Sequence, residues 1–309
     1  MPVYAVIIGG LMLQFQAQGK ISSSKSGQKR HSQDKTSQSG KQQVYKLAAI
    51  DLDGTLLNPE RRISAENRAA VEKLIANDVQ VVLASGRRHD DIYRFHEELG
   101  LKTPILSCHG ALVKDPFTGE VFCTRPIEQD LVLFLLKEAL EVGLNWVVYD
   151  EKGVHLCHSE YWINEYIRRT DFGCPTTYKS ISEYDLTHAE KVNWMGDPEA
   201  IQQQYRRMVD LFHGKLTCVV TDPDHLEFTL HGADKASGLM ALIETLGITS
   251  DEVITFGDSN NDVTMLSWAG LGVAMGHGTP AAKMAAKMIS EPGDEGTSLA
   301  RAVNVIFPD

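Results

Sequence analysis

The sequence predicts an α/β protein: a doubly wound parallel sheet carrying an inserted α+β cap. Three observations point there. Short β-branched runs alternate with helical patterns from Val44 onward, that rhythm breaks near Cys108, and it resumes after Gly232. At 309 residues the chain is long enough for two domains.

Residues 1–43 stand apart. A short apolar stretch (3–15) precedes a Ser/Gln/Lys tract, and up to Lys46 seven basic residues face Asp34 alone, so this piece carries +6 and the remainder −17. A signal peptide places its positive charge before the apolar run, and here the order is reversed. The segment is read as a disordered or targeting extension, which leaves a cytoplasmic or an organelle-directed protein open.

The elements then follow in order. Residues 44–50 form an apolar strand ending at Asp51. Ser64 is a plausible N-cap for a helix over 64–77, with Val71, Leu74 and Ile75 at helical spacing. A second strand (79–84), a helix ending at Leu99 before Gly100, and a third strand (104–107) complete a βαβαβ unit. Ligands of such a sheet sit at the carboxyl ends of its strands. Over 108–123 the turn sequence Asp115-Pro116-Phe117-Thr118-Gly119 makes a hairpin. The stretch 127–230 groups helices (128–142 and 198–212, the latter capped by Asp197) with strands at 145–149, 154–157, 216–220 and 226–230. The βα pattern returns over 235–246, 253–256, 260–268 and 271–273. The expected division is therefore core 44–126, cap 127–230 and core 231–309.

Composition narrows the function. With 41 acidic against 30 basic residues the formal charge is −11, unlike a nucleic-acid-binding surface. No apolar run is long enough to span a bilayer. Cys108, Cys123, Cys157, Cys174 and Cys218 are scattered and odd in number, giving neither a disulfide framework nor a zinc site. The chain lacks GxxxxGK, GxGxxG after a strand, and HExxH.

Four clusters fall where an open α/β sheet would put its site. Asp51-Leu52-Asp53-Gly54-Thr55 offers two carboxylates, one able to attack or ligate while the other handles a proton. Its DxDG also begins an EF-hand loop, but the preceding apolar strand is wrong for that motif. Ser85-Gly86-Arg87 supplies a hydroxyl and backbone N–H groups for an anionic oxygen, although such a sequence alone is more often a plain turn. Lys235, at a helix start, suits phosphate charge, although a lone helix lysine is usually solvated. Gly257-Asp258-Ser259-Asn260-Asn261-Asp262 collects oxygen donors of the kind Mg²⁺ prefers, more than one helix cap needs.

Together these clusters resemble the four motifs of the haloacid dehalogenase superfamily, and specifically its Cof-type (subfamily IIB) hydrolases, from about Val44 to the end. Gly272-Val273-Ala274-Met275-Gly276 and Asp294-Glu295-Gly296 are similar to late family segments. The resemblance implies a Rossmann-like core and a Mg²⁺-dependent phosphatase of small phosphorylated metabolites such as sugar phosphates, flavin mononucleotide or pyridoxal phosphate. Asp51 would be the nucleophile that becomes an aspartyl-phosphate, and Asp53 the general acid/base. Thr55, Ser85, Gly86, Lys235 and Asn261 would serve the phosphate, with Lys235 also holding Asp51. Mg²⁺ would sit on Asp51, the Asp53 carbonyl and Asp258, with Asp262 in or beside its shell. No nucleic acid or membrane partner is implied, and the oligomeric state is not fixed by the sequence. Two departures stand out: His109-Gly110-Ala111 replaces the usual Asn-Gly-Ala, and Met275-Gly276-His277-Gly278 replaces Met-Gly-Asn-Ala. Asp234 is also placed to pair with Lys235. A phosphotransferase such as a phosphomutase, or a non-catalytic phosphometabolite sensor, would share this core, although two intact acids weigh against the sensor.

Overall fold

The computed structural model describes residues 44–150, 152–157, 159–170, 175–185 and 188–308. The expected extension over 1–43, and Cys174, lie outside the described residues. In chain order the elements are β1 (Leu47–Ile50), α1 (Ala65–Ala76), β2 (Gln80–Leu83), α2 (His89–Glu98), β3 (Ile105–Ser107), β4 (Leu112–Lys114), β5 (Val121–Thr124), α3 (Gln129–Glu141), β6 (Asn145–Asp150) and β7 (Gly153–Cys157). They continue with α4 (Glu160–Thr170), β8 (Thr176–Tyr178), β9 (Ala189–Met195), α5 (Pro198–Leu211), β10 (Leu216–Asp222), β11 (His225–Leu230), α6 (Lys235–Leu246), β12 (Val253–Gly257), α7 (Val263–Trp268), β13 (Leu271–Ala274), α8 (Pro280–Ala285), β14 (Met288–Ile289) and α9 (Ser298–Ile306).

The core sheet is parallel, in the order β14-β13-β12-β1-β2. Its strands are continuous apolar runs because helices cover both faces. All four residues of β1 are buried, and each Leu or Ile so placed is worth about 1.5–3 kcal/mol. Ser64 caps α1 as expected, its hydroxyl accepting from the Asn67 N–H at 3.1 Å.

The third strand departs from expectation. β3 joins the parallel sheet only through a single bridge from Leu106 to Ala84, and its regular partner is β4 in a separate antiparallel sheet, β3-β4-β5. Directly after β3 the chain enters the left-handed region at Cys108 (φ 48°) and His109 (φ 58°), folding back so that the hairpin takes β3's hydrogen bonds. Gly110 (φ 95°) completes this reversal, and a Cβ there would lie 2.1 Å from the Asp234 carbonyl oxygen, so only glycine lets the hairpin approach the start of α6.

The cap is a six-stranded sheet, β10-β11-β9-β6-β7-β8. Strand β9 lies between β11 and β6 and eluded the sequence reading because Glu190, Lys191 and Asn193 interrupt its apolar pattern. Helix α4 and strand β8 were not anticipated either. The period of two explains β9. Val192 and Trp194 point into an apolar cluster with Leu135 of α3 and Ile201 of α5, where Trp194 stacks edge-on against Phe228 at 4.8 Å. Lys191 and Asn193 therefore face the other way, alongside Tyr149 and Glu227 in the neighbouring strands, toward the carboxyl ends of the core strands.

Candidate active site

Asp51 follows β1, Ser85 follows β2 and Asp258 follows β12. Because these strands are neighbours in register (Ile50 opposite Phe256 and Leu83), the three side chains emerge together. The Asp51 N–H continues the ladder to the Phe256 carbonyl at 3.0 Å. Gly54 (φ 82°) lets the departing chain pass Asp258, since a Cβ there would sit 2.7 Å from a carboxylate oxygen. Carboxylate oxygens of Asp51, Asp258 and Asp262 all lie within 4.8 Å of one another, and all three residues are buried or nearly so.

Lys235 answers part of this charge. It is fully buried, and its Nζ donates to Asp51 Oδ1 and, at 2.6 Å, to Asp262 Oδ1. Burial alone would lower the lysine's pKa, but the two carboxylates raise it, so it remains a cation. Burial pushes the Asp51 carboxyl well up, Lys235 opposes this, and Asp262 and Asp258 add to the rise. Asp258 is raised by burial and by Asp262. Three carboxylates against one ammonium leave a charge of −2 if all are ionised, in a set of oxygen donors suited to a hard divalent cation.

Supporting contacts hold these groups. Asp262 Oδ2 accepts the backbone N–H groups of Asp258 (2.9 Å) and Ser259 (3.0 Å), fixing the loop after β12. Thr55, buried, donates its hydroxyl to Asp258 Oδ1 at 3.0 Å, so it acts on the carboxylate cluster from behind. His277, one of the two departures from the family pattern, donates from Nε2 to the Gly54 carbonyl at 2.7 Å and so steadies the turn after Asp51. Asp234 does not pair with Lys235: its carboxylate caps α6, accepting from the Ser237 N–H at 2.8 Å, because a helix start needs an acceptor there.

Asp53 stands at the mouth of the same cavity with its carboxylate half exposed, held in a two-point pair by Arg87 (2.7 Å from Nε, 2.5 Å from Nη2). Ser85 is buried, and its hydroxyl accepts the Arg87 N–H at 3.1 Å. Gly86 lies against the ring of His109, where a Cβ would come within 2.2 Å. Asn261 approaches His109 Nδ1 at 3.4 Å. All of these border one cavity of about 440 Å³, which cap residues such as Tyr149, Lys191 and Glu227 also line.

The cap meets this loop through a buried ionic cluster that sequence reasoning missed. His109 Nε2 contacts Glu227 Oε2 at 2.5 Å, and Lys191 Nζ bridges Glu227 Oε1 (3.0 Å) and the Gly86 carbonyl (2.8 Å). Asn193 donates to the same Glu227 oxygen at 3.1 Å. Burial would raise the Glu227 pKa, but Lys191 and His109 more than offset it and hold the carboxyl well below its ordinary range. Burial lowers the His109 pKa against the pull of Glu227. The one sequence signal was a run of polar residues inside a strand otherwise suited to a core.

A family model of haloacid dehalogenase-like hydrolases matches residues 48–303. The chain belongs to this family. It is 30% identical over 261 residues to YxeH of Bacillus subtilis, covering 82% of this chain and 95% of that protein. It is 29% identical over 259 residues to the pyridoxal phosphate phosphatase YbhA of Escherichia coli, covering 79% and 92%. The crystal structure of a haloacid dehalogenase-like hydrolase from Bacteroides thetaiotaomicron superposes with a TM-score of 0.75 at 29% identity, over 85% of this chain and all of that one. The protein is thus a hydrolase of the phosphatase class with a Rossmann-like core and a cap. No helix among the described residues is long and apolar enough to cross a membrane.

Proposed function

We propose that this enzyme hydrolyses phosphate monoesters of small metabolites, of the sugar phosphate, flavin mononucleotide or pyridoxal phosphate type, through an aspartyl-phosphate on Asp51. The observation that carries the reading is Asp51 fixed by the buried Lys235 beside Asp258, with Asp53 two residues on at the open side of the same cavity. An anchored carboxylate with a second acid nearby is the arrangement for attack on phosphorus with proton delivery to the leaving oxygen.

In the first step an Asp51 carboxylate oxygen bonds to phosphorus while the ester P–O bond breaks, and Asp53 gives its proton to the departing alkoxide. In the second, Asp53 takes a proton from water, whose oxygen attacks phosphorus, and the Asp51–phosphorus bond breaks to release inorganic phosphate. Arg87 bears on both steps. It holds the Asp53 carboxylate in a two-point pair, and an arriving phosphate dianion offers the guanidinium a second two-point partner, which releases Asp53 toward the leaving oxygen. Lys235, Ser85, the Gly86 loop and Asn261 surround the phosphoryl group. Thr55 serves it indirectly, by holding Asp258. The charge of −2 fits Mg²⁺ held by Asp51, the Asp53 carbonyl and Asp258, with Asp262 bracing that set. When bound, Mg²⁺ neutralises charge on the phosphoryl oxygens and so lowers the repulsion met by an attacking carboxylate.

The test is phosphate release from a panel of sugar phosphates, nucleotides and cofactor phosphates, with Mg²⁺ or EDTA, by the wild type and Asp51→Asn. Mg²⁺-dependent release that disappears in Asp51→Asn is expected. A folded wild type that releases phosphate from none of them would overturn the reading. Phosphate passed to a sugar hydroxyl in preference to water would replace hydrolysis with transfer.

A further inference from the structure

Resting on the phosphatase reading, the geometry points to Asp91 as a specificity-determining residue that accepts a hydrogen bond from a hydroxyl on the organic part of the substrate, selecting a polyhydroxylated phosphate ester. Asp91 is the third residue of α2, the helix that follows the Ser85-Gly86-Arg87 loop, and it lines the same cavity as Asp51 and Asp53. It is 5% exposed, its Oδ1 is sealed from solvent, and no described residue gives its carboxylate a hydrogen bond or an ion pair. Buried carboxylates are ordinarily paired, because an isolated one loses its hydration without compensation. A carboxylate kept so at the wall of a substrate cavity is explained by a donor that arrives with the ligand.

The surroundings decide which donor. Arg87, Arg88 and Lys191 all act on Asp91 electrostatically, yet each has a nearer partner: Asp53 for Arg87, Asp90 for Arg88, and Glu227 with the Gly86 carbonyl for Lys191. An ammonium on the substrate would enter a field already set by three cations. A hydroxyl supplies the hydrogen bond without added charge. The cap adds to the same cavity the Tyr149 ring, with Lys191 4.6 Å above its centre, together with Val219 and Val220, a surface suited to the carbon skeleton of such a substrate.

The experiment compares kcat/KM for hexose and hexitol phosphates, their monodeoxy analogues, and phenyl phosphate, which has no hydroxyl, in wild type, Asp91→Ala and Asp91→Asn. A hydrogen bond to a charged group predicts that Asp91→Ala lowers the ratio of polyol phosphate to phenyl phosphate activity about ten- to hundredfold. Asp91→Asn, which keeps one acceptor oxygen, should recover part of it. One monodeoxy analogue should lose in the wild type what the parent loses in Asp91→Ala, with no further loss when both changes are combined. An unchanged ratio in Asp91→Ala, with hydrolysis intact, overturns this inference alone. Absence of release by the wild type from every ester overturns the phosphatase reading and this inference with it.

Discussion

Two buried lysines organise this molecule, and they do so differently. Lys235, inside the core, touches two carboxylates, Asp51 and Asp262, so its charge is surrounded by a larger negative one. Lys191, on the cap sheet, touches one carboxylate and one backbone carbonyl, Glu227 and Gly86, and the carbonyl belongs to the loop after β2 of the core sheet. The first lysine balances a reactive centre within one sheet. The second ties the cap to the Gly86 loop. The core set keeps a net negative charge, which the proposed Mg²⁺ would offset, whereas the seam is neutralised by protein groups.

The largest effect should come from Lys235→Met. It strips the cation from two buried carboxylates, and removing one partner of such a set costs about 3–5 kcal/mol. Denaturant unfolding should register that loss, and turnover should fall by about 10²–10³ or more, as when a charge-stabilising donor is deleted. Adding Asp262→Asn should return part of the stability and none of the turnover. Recovery of both would erase the distinction between a charge-balancing and a catalytic role.

Lys191→Met should act on a smaller scale. Glu227 keeps Asn193 and His109 when the lysine is lost, so the expected destabilisation is about 1–3 kcal/mol, near the cost of one unmade hydrogen bond to a charged group. The kinetic signature should differ in kind: KM rises more than kcat falls, because the cap loses its hold while Asp51 and Lys235 stay in place. A fall in kcat alone would place Lys191 with Lys235.

How much of this was legible follows the same division. Asp51, Asp53 and the 257–262 loop were legible because each follows a core strand, where sequence order fixes spatial position once the sheet is parallel, and Lys235 because it opens the helix that returns the chain to the core. Asp234 was misjudged because its choice between Lys235 and the helix start depends on side-chain direction, which sequence spacing does not report. The seam was hidden for a further reason. Glu227 and Lys191 are paired neither by local spacing nor by strand order, and a lysine inside a short β pattern looks like an interruption until the sheet shows which face it occupies. The departure at His109 was visible as a substitution, while its partner, 118 residues away, was not.

The subtlest prediction concerns pH and belongs to Glu227. Its carboxyl is held below the ordinary 4.5 by Lys191 and His109, which more than offset the effect of burial. A group whose folded pKa is depressed stabilises the protein above its unfolded value, and that contribution is lost as pH falls through the window beneath it. His109 is lowered too, so as the pH drops below its ordinary 6.5 the unfolded chain takes up a proton that the folded seam resists, and stability falls in the same direction. The Glu227→Gln variant removes the first effect and, because it also takes away the upward pull of Glu227 on His109, leaves the second in place or larger. Unfolding free energies measured from pH 7 to 3 should therefore converge for wild type and variant below 4.5, where only the wild type has a carboxylate at this position to protonate. Curves that stay parallel to pH 3 would mean that Glu227 gains nothing from Lys191 and His109, and the ionic account of the seam would fail.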